Sequence, residues 1–249
     1  MPRISDLLNE KVDFRDPELV AERTLECADA AHEYPVDLQK VLSLWPGLQV
    51  TCTDITNSGY LMALSKENGQ IVLRQQDRLV RRRFSLAHEL GHWVTGDNHG
   101  TSHDVTIGGI PTEIWCDRFA NRLLTPKIAV DKYFGDTQEM HVIAMLIARF
   151  AFEFQVSRDT TFIRLRQHNN LRILLFADRN RIVRVFTNSN NQHEQLVRNL
   201  YSHLRSNPSH IGKVYNVEGM QLVSVLFTNP SVRRRELVVV GFPSARQLR

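Results

Sequence analysis

Cysteine is scarce in this chain, and the three present, Cys27, Cys52 and Cys116, form neither an even set nor a Cys-x-x-Cys pair. A disulfide framework and a structural zinc knuckle are therefore not expected, and reduced thiols are. Long apolar runs are missing too. No stretch approaches the ~18 uninterrupted apolar residues of a membrane span, and Asp6, Glu10 and Asp13 interrupt any would-be signal core at the N-terminus. The expectation is a cytoplasmic, unsecreted protein with no membrane partner. Repeats and low-complexity tracts are absent, so organisation has to be read from periodicity and breakers. Acidic residues are thin at one end: residues 168–249 hold 12 Lys+Arg against 4 Asp+Glu, a net of +8, leaving 19 against 23, or −4, for residues 1–167. A basic C-terminal part suggests an anionic partner, nucleic acid first; a solvated basic face is the plainer alternative.

What is present falls into three blocks. Residues 17–32 space Leu19, Val20, Leu25, Ala28 and Ala31 as one face of a helix behind Pro17. A second helix, Val36 to Trp45, stops at Pro46-Gly47, and LQVTCTDI, GYLMALS and QIVLR follow as strands of a small antiparallel sheet, the last two joined at Asn68-Gly69. Helical period returns from Arg83 to Thr95 and breaks at Gly96-Asp97. A polar loop from Asn98 to Gly109 leads to a helix from Pro111 to Leu124, ended by Thr125-Pro126. Two further helices, His141 to Phe154 and Arg158 to Gln167 with Ser157 as N-cap, have helix-turn-helix proportions. From Leu171 the pattern is strand, strand, helix near Glu194 to Leu204, then three strands, which makes a separate α+β domain.

The chemistry lies in FSLAHELGHWVTG. His88 and His92 stand one turn apart on one helix face and suit a shared zinc ion, one per chain. A catalytic zinc takes three protein ligands, so a third is needed downstream. The metzincin continuation fails, with Thr95 and Asn98 where glycine and histidine belong. His99 and His103 remain in reach on the loop, but Glu113 on the next helix is the better choice, with Asp117 one turn later on the same face. Asp117 would accept the free N–H of a ligating histidine. Glu89 would be the general base for attack of water on a peptide carbonyl, passing the proton to the leaving amine. His99, His103 and Tyr133 are candidate oxyanion donors.

RRRFSLAHELGHWVTG followed by EIWCDRFANRLLTP resembles the paired signature of the ImmA/IrrE metallopeptidases, R-x-R-F-T-L-A-H-E-L-G-H and E-x-x-A-N-x-F-A-x-x-L-L-M-P. Ser85, Cys116, Asp117 and Thr125 depart from that pattern without removing a ligand, and Asp117 brings the segment nearer a gluzincin-like Glu-x-x-x-Asp. The likeness extends over about residues 17–167 and includes Pro35 to Leu38. It implies an α+β chain with a mostly helical, zincin-like peptidase core at 1–138, a helix-turn-helix-like segment at 139–168 and a basic, sensor-like α+β domain, GAF-like in some relatives, at 169–249. It further implies a regulatory endopeptidase that cuts a helix-turn-helix (XRE-type) repressor and so releases stress, DNA-damage, phage or defence genes. The competing reading is a DNA-binding or ligand-sensing regulator with a non-catalytic metal site.

Three features stand beside that reading. Arg172, Arg179, Arg181, Arg184, Arg198, Arg205, Lys213 and Arg233 to Arg235, with Phe176, Phe186, Tyr201 and Tyr215 between them, are candidate contacts for single-stranded DNA or other nucleic acid acting as an activator. Cys116, three residues after Glu113, is a candidate regulatory thiol, or simply a small buried side chain. Arg81-Arg82-Arg83 reads as a solvated start to the metal helix, with a grip on the backbone or acidic side chains of a substrate as the lesser alternative.

Overall fold

The computed structural model describes residues 13–65, 67–96, 106–137, 139–168, 171–177, 182–187, 191–217, 220–229 and 234–243. The chain is α+β and divides into two compact units, Met1–Lys132 with Phe154–Ser157, and Tyr133–Glu153 with Arg158–Arg249.

The first unit opens with α1 (Pro17–Cys27), whose N-cap Asp16 accepts hydrogen bonds from the Glu18 and Leu19 amides. The expected helix to residue 32 ends early because Asp29 adopts φ 51°, and Ala30 N–H reaches back to the Leu25 carbonyl. Helix α2 (Leu38–Leu42) is capped by Asp37 in the same way. Strands β1 (Leu48–Thr53), β2 (Gly59–Ala63) and β3 (Gly69–Arg74) form a sheet in the order β1-β3-β2. The sheet is mixed, which corrects the antiparallel expectation: β2 and β3 pair antiparallel as the hairpin requires, but β1 lies parallel on the other side of β3. The reason is burial. Ile71, Val72 and Leu73 are buried as an unbroken run, so β3 has to be the central strand.

Helix α3 (Leu79–Thr95) packs on β2 and β3 and closes on Gly96 at φ 71°. It begins one turn earlier than expected. A two-stranded hairpin, β4 (Thr106–Ile107) and β5 (Ile110–Pro111), turns through Gly108 and Gly109 at positive φ into α4 (Thr112–Leu124). Helix α4 packs against both α3 and α1. Gly91 permits the α3–α4 approach, since a Cβ there would stand 3.1 Å from the Cα, Cβ and Sγ of Cys116. Arg122 of α4 pairs with Glu18 and Glu22 of α1, and the Trp115 indole N–H donates to the Phe14 carbonyl. Helix α5 (Lys127–Phe134), which periodicity did not announce, follows Pro126 and contains the border between the units.

In the second unit, α6 (Met140–Glu153) and α7 (Arg158–His168) precede β6 (Ile173–Ala177), β7 (Ile182–Thr187), α8 (Asn191–Ser206), β8 (Val214–Val217), β9 (Met220–Asn229) and β10 (Arg234–Pro243). The five strands are antiparallel in the order β7-β6-β10-β9-β8. Alternation splits their side chains between two faces. Ile173, Leu175, Leu237 and Val239 pack with Val197, Tyr201 and Leu204 of α8. Phe176 lies on the other face, where the Arg158 guanidinium stands 4.3 Å over its ring and pairs with Glu236 at 2.5 Å. Helix α6 lies against β9 and β10. The two helices expected as a segment of their own therefore form one layer over the sheet, with α8 as the other.

Candidate metal centre

The site is assembled from two helices. On α3, His88 and His92 face each other with Nε2 atoms 3.2 Å apart and ring centroids 5.0 Å apart. Glu113, in the first turn of α4, sets Oε2 3.2 Å from His88 Nε2 and Oε1 3.4 Å from His92 Nε2. These three residues are the group of possible ligands that the described residues bring together. Ligands about 2.0–2.1 Å from a tetrahedral zinc lie about 3.3 Å from one another. The spacings observed match that edge, so the cluster fits the ion.

Asp117, one turn beyond Glu113, places Oδ1 2.9 Å from His88 Nδ1. The carboxylate requires a proton on Nδ1, which leaves the Nε2 lone pair directed at His92 and Glu113. Exposure is graded: the His92 side chain is 0% exposed, His88 14% and Glu113 64%. Burial is the largest influence on His88 and pushes its pKa down. The Asp117 hydrogen bond and the negative charges of Glu89, Asp117 and Glu113 together outweigh it, so the imidazolium is held above the ordinary histidine range. Glu89 is 5% exposed and stands outside the ligand trio, close enough for its charge to act on His88.

Other expected site residues lie elsewhere. The Cys116 thiol is buried against Gly91 between α3 and α4, outside the ligand trio. The Tyr133 hydroxyl donates to the Leu146 carbonyl, and its ring packs edge-on against Phe134 and Phe150. His99 and His103 fall outside the described residues, as do Arg179, Arg181 and Arg233. Arg172 and Arg184 are exposed, Arg184 pairing with Asp159 at 2.9 Å. Arg198 pairs with Glu194, Arg205 and Lys213 are exposed, and Arg234 and Arg235 belong to β10.

Sequence reasoning passed over one support. Arg83 donates to the Val36 carbonyl at 2.8 Å, so the Pro35–Leu38 segment is pinned to the metal helix. The signal was there in two halves, since both segments carry the family resemblance, but nothing local joins them.

Comparison with known proteins adds three findings. A family model described as an IrrE N-terminal-like domain, from a peptidase family, matches residues 46–166. Among solved structures, a Mycobacterium tuberculosis transcriptional regulator is similar with a TM-score of 0.47 and 12% identity, over 98% of this chain and 81% of that one. No curated protein matches the chain. Among the described residues no helix is long and apolar enough to cross a membrane.

Proposed function

We propose, proceeding from the chain's membership of the ImmA/IrrE family through its IrrE N-terminal-like domain at residues 46–166, that this protein is a regulatory zinc endopeptidase acting on a helix-turn-helix repressor. The observation that carries the reading is the convergence of His88, His92 and Glu113 at tetrahedral-edge spacing, with Asp117 fixing the His88 ring. Zinc, when bound there, supplies Lewis-acid polarisation of a carbonyl and acidifies water. His88, His92 and Glu113 hold the ion, and Asp117 sets the tautomer that lets His88 do so. Glu89 is left as the proton carrier, taking a proton from the attacking water and delivering it to the leaving amine.

The class of substrate follows from the family, in which such a cut releases stress, DNA-damage or mobile-element genes. The C-terminal unit, an antiparallel sheet between helical layers, supports the sensor-like, GAF-like reading. Its exposed Arg172, Arg205 and Lys213 support nucleic acid as the signal. The test is incubation of the zinc-loaded chain with a candidate helix-turn-helix repressor. Cleavage is expected, and is expected to vanish in Glu89→Gln while zinc content stays constant. Cleavage that persists in that variant overturns the mechanism. Single-stranded DNA added to the same assay should raise the rate; binding and rate both indifferent to it would remove the activator.

A further inference from the structure

Five arginines fall within ten residues at the start of the metal helix: Arg74, Arg78, Arg81, Arg82 and Arg83. None is held in an ion pair among the described residues. Three of them are occupied internally. Arg83 donates to the Val36 carbonyl, with Asp37 nearby in charge, Arg74 donates to the Thr56 carbonyl at 3.4 Å, and Arg82 approaches Cys52 Sγ at 3.9 Å. The other two face outward. Arg81 spends two N–H groups on Ser58 Oγ, at 3.2 and 3.1 Å, and is otherwise exposed; Arg78 is exposed and its side chain has no hydrogen bond among the described residues.

Helix stability does not explain them. Positive side chains in a first turn oppose the helix dipole, and α3 has no acidic residue there to compensate. Their placement does suggest a use. Arg81 precedes His88 by seven residues, which puts it on nearly the same face about 10 Å along the axis, with Arg78 about 5 Å further. An extended peptide covers about 10–15 Å in three to five residues.

Resting on the peptidase reading above, we propose that Arg78 and Arg81 form a subsite for an acidic side chain of the polypeptide substrate, about three to five residues from the bond that is cut. A carboxylate is the favoured ligand over a nucleic-acid strand. A strand needs many phosphates neutralised together, and residues 1–167 carry a net charge of −4. The exposed neighbours Gln75, Gln76 and Leu79 also provide no ring on which a base would stack.

The test measures binding apart from cleavage, so it can fail while the peptidase reading stands, and the reverse. Zinc-loaded, full-length Glu89→Gln protein is titrated with fluorescein-labelled hexaglutamate, hexalysine and a twelve-residue oligo-dT, read by fluorescence anisotropy. Hexaglutamate should bind and hexalysine should not. Arg78→Ala with Arg81→Ala should weaken hexaglutamate binding about tenfold or more, and Arg78→Glu with Arg81→Glu should turn the preference to hexalysine. Arg78→Ala alone, which removes an exposed side chain, keeps the comparison open if the double variants fold poorly, and should weaken binding about threefold or more. Hexaglutamate binding that stays within twofold of the parent in these variants overturns the proposal. So does oligo-dT binding that exceeds peptide binding and disappears with the same arginines.

Discussion

Asp117 meets the candidate ligand set through the far nitrogen of His88, and so bears on what that ring can do. Replacing it by asparagine keeps the size and removes the charge that fixes the tautomer. Zinc affinity, measured by competition with a chelator, should fall about 10- to 100-fold, whereas Glu113→Ala, which removes a ligand, should cost more than Asp117→Asn. The raised pKa of His88 has a signature in the metal-free protein. Its folded value lies above 6.5, so the imidazolium adds stability that is fully present below 6.5 and fades as pH rises through the folded value. Metal-free wild type should therefore out-melt metal-free Asp117→Asn on the acid side, with the gap closing on the alkaline side. Protons and zinc compete for the same nitrogen, so zinc affinity falls in the opposite direction, as the solution is made more acid. At this scale the sequence was highly legible. The histidine spacing is a helical period, and Glu113 and Asp117 repeat that period on a second helix. Arg83 and Val36 were not legible as partners, because 47 residues separate them and only the fold brings them together.

Helices α3 and α4 can offer one ligand set only if they lie close, and Gly91 is where they touch. Gly91→Val would press branched carbons into the backbone of α4, and overpacking of that kind costs about 1–3 kcal/mol. The loss should appear twice, in urea unfolding and in zinc affinity, because moving α4 moves Glu113. From its other side α4 is held by Arg122, whose side chain is 12% exposed against Glu18 and Glu22. Arg122→Met leaves two carboxylates on α1 facing an apolar group, and should lower stability by about 2–3 kcal/mol by the same measurement. Element types were readable in sequence; their pairings were less so. The β2–β3 hairpin announced itself at Asn68-Gly69, whereas β1 joined β3 for reasons of burial rather than adjacency. Helix α1 stopped short because Asp29 takes a conformation usually left to glycine, a choice that no spacing rule reveals.

All three candidate ligands belong to the first unit, while a half-buried pair, Arg158 and Glu236, belongs to the second. Perturbations should separate accordingly. Glu236→Ala takes the carboxylate from a guanidinium that stays over Phe176 and partly in water, and should destabilise the second unit by about 1–3 kcal/mol, with zinc content per chain unchanged. Zinc at about 100 times its dissociation constant should add about 2.7 kcal/mol to the unit that binds it, seen as slower hydrogen exchange in α3 and α4. The order of elements from Leu171 onward was readable almost strand by strand, since each short apolar run ends at a turn signal. The sheet order was not, because β10, besides pairing with its sequence neighbour β9, pairs with β6 some 60 residues earlier, as in Leu237 with Ala177. The graded exposure of the three ligands bears on metal traffic. Among the described residues two imidazoles are walled in and one carboxylate stands in water, so Glu113 is the ligand that an arriving or leaving ion meets on the solvent side. Glu113 can swing out and back without any helix moving, which makes exchange with the surrounding pool a side-chain event rather than an unfolding event.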